Sequence, residues 1–129
     1  MGTDICGWVE VPKFEIWRGV IQINGLLYRN YRMFEFLFGV RNHSFPNPIA
    51  ERRGLPTDLS WQAKQDTLLI EDARDQSWIM WEELKSIQWE MVQDLELSYD
   101  WRLLFTLMNT LAEQDYIGPE KIRLIVGFW

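Results

Sequence analysis

Five side chains between positions 41 and 78 have types and spacing that can do chemistry. Arg41 and His43 follow the pair Gly39-Val40, and Arg52-Arg53-Gly54-Leu55-Pro56 is the densest positive point of the chain. Guanidinium forks match the two-oxygen geometry of carboxylate and phosphate, and a glycine at 54 permits close backbone approach. A helix starting just beyond would add its N-terminal amides. With Trp78 as a stacking wall, Arg41, His43, Arg52 and Arg53 form a candidate site for a small anionic ligand with a planar part. The competing reading is structural. In it, Arg41 and Asn42 tie the loop to its own carbonyls, and Asp4, Glu51 or Asp58 neutralise the arginines.

Two further groups bear on catalysis. Cys6 with His43, the only cysteine and the only histidine, would make a nucleophile–base pair if the fold brought them together. Asp72, Asp75 and Ser77 offer oxygen ligands for a hard cation or carboxylates for hydrolysis. Their D-x-x-D-x-S spacing departs from the EF-hand loop, and Asp and Ser favour turns by bonding their own backbone. No nucleophile elbow, P-loop, dinucleotide fingerprint or H-E-x-x-H is present. No Cys/His set has zinc-site spacing, so neither a metal site nor a cofactor is expected.

The elements that must position these groups read as one domain spanning 1–129. Ile5–Val11 alternates, with Ile5, Gly7, Val9 and Val11 on one face and Cys6, Trp8 and Glu10 on the other. Ile16–Ile23 alternates again, so the two segments read as a β-hairpin, and Asn24-Gly25 ends the second strand. Asn30 caps a helix from Tyr31 whose apolar face holds Phe34, Leu37 and Phe38, with Gly39 at its C′ position. Val40–Pro56 is a long loop, a kind more often functional than merely connecting. A second helix is expected from Asp58 or Ser60 to about Leu69, a turn over Asp72–Ser77, and a short strand or helix lead at Trp78–Trp81. A third helix follows to about Gln88. Trp101, Leu104, Phe105, Met108, Leu111 and Ala112 mark the clearest helix, stopped by Gly118-Pro119. Ile122–Trp129 alternates with Arg123 and Gly127 outward. The fold class expected is α+β: a small antiparallel sheet, N-terminal hairpin plus C-terminal strand, with about four helices over one face.

Composition bounds the partners. A net charge of −6 disfavours long nucleic acids and anionic lipid surfaces. No apolar run is long enough to span a membrane. A lone cysteine and the absence of a signal-like start point to a cytoplasmic protein. Eight Trp, seven Phe and four Tyr are more aromatics than one core of this size needs. Trp81, Trp89 and Trp129 are the ones that would build a homodimer interface.

The words MGTDI, RNYRMF with LFGVRN, RGLPTDLS, DARDQSW with WEEL, and RLIVGF follow one another over most of the chain. In order and spacing they resemble a family of small uncharacterised proteins of bacteria and their phages. The resemblance implies no particular activity. Members often carry histidines where this chain has Cys6, Arg74 and Gln76, so any metal or acid–base role of those histidines would be missing here. The reading that follows is a non-enzymatic small-ligand-binding or interaction module. The alternative is a small hydrolase using Cys6/His43 or Asp72/Asp75.

Overall fold

The computed structural model describes residues 2–42, 45–114 and 117–129. Four strands form one antiparallel sheet: β1 (Ile5–Lys13), β2 (Ile16–Gln22), β3 (Arg74–Met80) and β4 (Arg123–Phe128), in the spatial order β2-β1-β4-β3. The α+β class is thus the observed one. The C-terminal strand pairs with the first, Trp8 opposite Ile125 and Val9 opposite Leu124. Gly7 is required at that seam. Its φ is +146°, and a Cβ there would lie 1.8 Å from the Ile125 carbonyl oxygen.

The larger core lies on one face. Ile5, Val9 and Val11 of β1 and Leu124, Val126 and Phe128 of β4 pack there with three helices. These are α1 (Tyr31–Phe38), α3 (Trp81–Lys85) and α4 (Tyr99–Ala112). Helix α1 begins where Asn30 Oδ1 accepts the Met33 N–H at 3.2 Å, and ends on Gly39 in the left-handed region at φ 70°. It buries Met33, Phe34, Leu37 and Phe38. Helix α4 buries Trp101, Leu104 and Met108.

The opposite face is covered too, contrary to the one-sided sheet expected. Leu59, Ala63, Leu69 and Ala73 close over Cys6 and Ile125 as a second, smaller core. They come from the segment holding α2 (Trp61–Lys64) and a π-helical turn (Leu68–Asp72). Gly127, expected outward, sits under Ala73, and Arg123 is likewise buried. Two alternating strands read as half-solvated are therefore covered on both faces.

Asp72–Ser77, read as a turn, is also different: Arg74 onward is strand β3. The alternation is broken by a bulge between Arg74 and Ser77, with Asp75 at φ +54°. Polar residues occur there because β3 is an edge strand. Its outer side is met by the preceding loop, Gly54 N–H donating to the Gln76 carbonyl at 2.9 Å. None of the described helices is long and apolar enough to cross a membrane.

Candidate functional site

The loop arginines are held by the chain's own groups. Arg53 donates to both carboxylate oxygens of Glu83, at 2.8 and 2.7 Å, and to the Trp78 and Ile49 carbonyls. Its guanidinium lies 4.6 Å from the centre of the Trp78 ring. Arg52 reaches Asp75 at 2.9 Å and Glu51 at 3.3 Å. Thus Arg52, Arg53 and Trp78 do come together, but around Glu51, Asp75 and Glu83. An incoming phosphate would have to displace a carboxylate. Arg41 lies over the Tyr31 ring at 4.7 Å, with its Nη1 3.5 Å from the Thr3 hydroxyl. His43 lies outside the described residues. Glu83 also accepts the Met80 N–H, and the Arg53 hydrogen bonds hold its carboxyl below the usual range against the opposing effect of burial. Asp4 pairs with Arg29, at 2.7 and 3.1 Å, and not with a loop arginine.

The catalytic candidates are placed for structure. Cys6 is buried in the smaller core with its thiol 3.6 Å from the Gly127 carbonyl. Burial, with Asp66 nearby, pushes its pKa up to about 12, so the thiolate that a nucleophile requires is scarce near neutrality. Asp72 ends the π turn, and Asp75 is ion-paired on β3. Among the described residues no three His, Cys, Asp or Glu are grouped to hold a metal ion. Trp81 is buried against Phe105, and Trp89 packs between Phe105 and Phe36. Of the three interface tryptophans expected, Trp129 is the exposed one, at 48%.

A buried ionic cluster escaped the sequence reading. Glu10 is fully buried and bonds Arg123 Nε at 2.6 Å, while Arg123 Nη1 reaches Asp58 at 2.9 Å. Trp17 covers the guanidinium at 3.9 Å, and its indole N–H donates to Asp58 at 3.0 Å. Burial alone would raise the Asp58 pKa, but the Arg123 and Trp17 hydrogen bonds keep it below the ordinary range. The cluster locks β1, β2, β4 and the segment before α2 into one unit.

That unit supports the most exposed large apolar side chain among the described residues. β1 and β2 are joined by the two residues Phe14 and Glu15, at φ 53° and 65°. This is the left-handed pair of a type I′ hairpin turn, a place that favours Asn-Gly. Phe14 stands 86% exposed at the tip. Ile16 is exposed beside it, and Pro12, Glu15, Trp17 and Lys121 complete an open depression of about 320 Å³ around it. The exposed charges here are of both signs: Lys13 and Lys121 stand with Glu15, with Glu120 beside Lys121 in sequence, and with Asp58, which accepts the Trp17 indole N–H. The sequence signal was present but unused: a phenylalanine in a hairpin turn, where polar residues are the rule. No protein-family model, no curated protein and no solved structure matches the chain.

Proposed function

We propose that this protein is a non-enzymatic interaction module that engages a partner protein through its β1–β2 hairpin tip. The observation that carries the reading is Phe14. Two non-glycine residues in the left-handed region cost of order 1 kcal/mol each. Exposing a phenylalanine adds an apolar area that folding leaves in water. Neither helps the isolated chain, and both make sense for an anchor that fills a partner's pocket. On the ordered words of the sequence we also propose kinship with the small bacterial and phage proteins they resemble; that kinship carries no activity of its own.

The test is photo-crosslinking in the native host with a benzophenone amino acid at position 14. A discrete adduct is expected that excess unlabelled protein suppresses and the F14A/I16S variant does not. A probe at exposed Tyr99 should not give the same adduct. A smear that either competitor reduces equally would reject the tip as the binding surface. An adduct of about twice the 15.5 kDa chain mass would identify a second copy as the partner.

A further inference from the structure

On the opposite side of β2's pairing with β1, the depression between strand ends and α2 combines two indoles with a row of neutral amides. It is shallow and open, is lined by Trp8, Gln22, Trp61, Gln62, Gln65, Asp66 and Thr67, and offers about 420 Å³, within the roughly 300–1,000 Å³ usual for small-molecule sites. We propose that this depression is a saccharide-binding site that takes a neutral pyranose, its ring stacked on Trp61 and its hydroxyls held by the amide side chains.

Trp61 is 68% exposed at the first position of α2. Its backbone there is fixed from both sides. Ser60 Oγ caps the helix by accepting the Ala63 N–H, and the Ser60 N–H donates to buried Glu10. The helix start that carries it is thus fixed, and the indole is a water-facing plane, which is costly to leave bare and suited to an apolar ring face. Trp8 is half-buried on β1, its N–H donating to Asp66 at 2.8 Å.

The polar groups select the ligand class. Gln62 accepts the Gly19 N–H through Oε1 at 3.0 Å, which leaves its two amide N–H donors for a ligand. The side chains of Gln65 and Thr67 make no hydrogen bond among the described residues. Amides and a hydroxyl supply donors and acceptors without charge, the complement of vicinal hydroxyls. No lysine or arginine lines the site, which disfavours anions. Asp66 is its one charge, and both of its oxygens are engaged: Oδ1 accepts the Leu69 N–H, and Oδ2 accepts Trp8 and, at 3.5 Å, Gln22. It orients the floor of the site and is poorly placed to recognise a cation as well. A neutral, polyhydroxylated ring with one apolar face meets all of these demands.

The experiment is a titration of the intact protein with cellobiose, chitobiose, maltose and lactose, followed by two-dimensional ¹H–¹⁵N NMR. Tetramethylammonium and inorganic phosphate serve as charged comparators. At least one disaccharide should saturably shift the indole N–H of Trp61 and the side-chain amides of Gln62 and Gln65. W61A should weaken binding about tenfold or more with an otherwise unchanged spectrum, because the residue is exposed. Q65A should weaken it less, and F14A not at all, which separates this site from the hairpin tip. No saturable shift with any sugar overturns the proposal. So does a response to tetramethylammonium or phosphate that the sugars do not produce, or sugar shifts that W61A leaves intact.

Discussion

Arg123 lies beneath the Trp17 ring with its guanidinium shared between Glu10 and Asp58. Its partners differ in kind. Asp58 is largely exposed, so its share of the attraction is screened by water. Glu10 is wholly buried, and without Arg123 its charge would stay in the core with only the Ser60 N–H for company. Arg123→Met is therefore expected to destabilise the fold by about 3–5 kcal/mol, read as a lower urea midpoint with unchanged slope. Adding Glu10→Gln should recover part of the loss, since it removes the uncompensated charge. A single variant as stable as the parent, or a double variant with the summed losses, would contradict this account. At this scale the sequence was only half legible. Alternation put Glu10 and Arg123 on the faces of their strands opposite to Val9 and Leu124. It could not say that Leu59, Ala63 and Leu69 would cover that side, because the covering segment is short and irregular.

Elements with regular periodicity were legible, and elements broken by a special backbone were not. The capped helix over Tyr31–Phe38, the hairpin, the C-terminal strand and the 3.6-residue stripe of α4 all stand where their patterns put them. Strand β3 was hidden by the Asp75 bulge, and the second helix was split into one α turn and one π turn. The arginine loop was legible as a cluster. Which carboxylates would meet it was not: Glu83 lies thirty residues away from Arg53 in sequence, on a helix. The hairpin turn carries a prediction of its own. Replacing Phe14-Glu15 by Asn-Gly puts a glycine at one left-handed position and a residue that tolerates that region at the other, so it should stabilise the fold by about 1 kcal/mol, measured by urea unfolding. The same change should abolish the position-14-dependent partner contact, measured by competition against the crosslinkable protein. Stability gained together with binding lost is the pattern of a site maintained against the folding optimum. A turn that loses stability on this replacement would remove the strain argument.

Across the whole molecule, depressed carboxylates tie distant segments together. Asp4 is lowered by its hydrogen bonds to Arg29, linking the start of the chain to the segment before α1. Glu83 is lowered by Arg53 and joins α3 to the long loop. Asp58 is lowered by Arg123 and Trp17 and joins the segment before α2 to the sheet. Each binds its proton more weakly folded than unfolded. In the unfolded chain such groups titrate near their ordinary values, about 3.9 for Asp and about 4.3 for Glu. Above those values all three are ionised in both states and their stabilisation is complete. Below them the unfolded chain takes up protons first, and stability falls until the folded pKa values are passed. The urea midpoint is therefore expected to hold level from neutrality to about pH 5 and to decline steeply below about pH 4. Because Glu83 sits on one helix and answers to one arginine, Glu83→Gln isolates its share. It should lower the midpoint at pH 7 and flatten the acid decline, so that variant and parent converge at low pH. Curves that stay parallel down through the acid range would mean that the Arg53–Glu83 link does not hold the long loop in place.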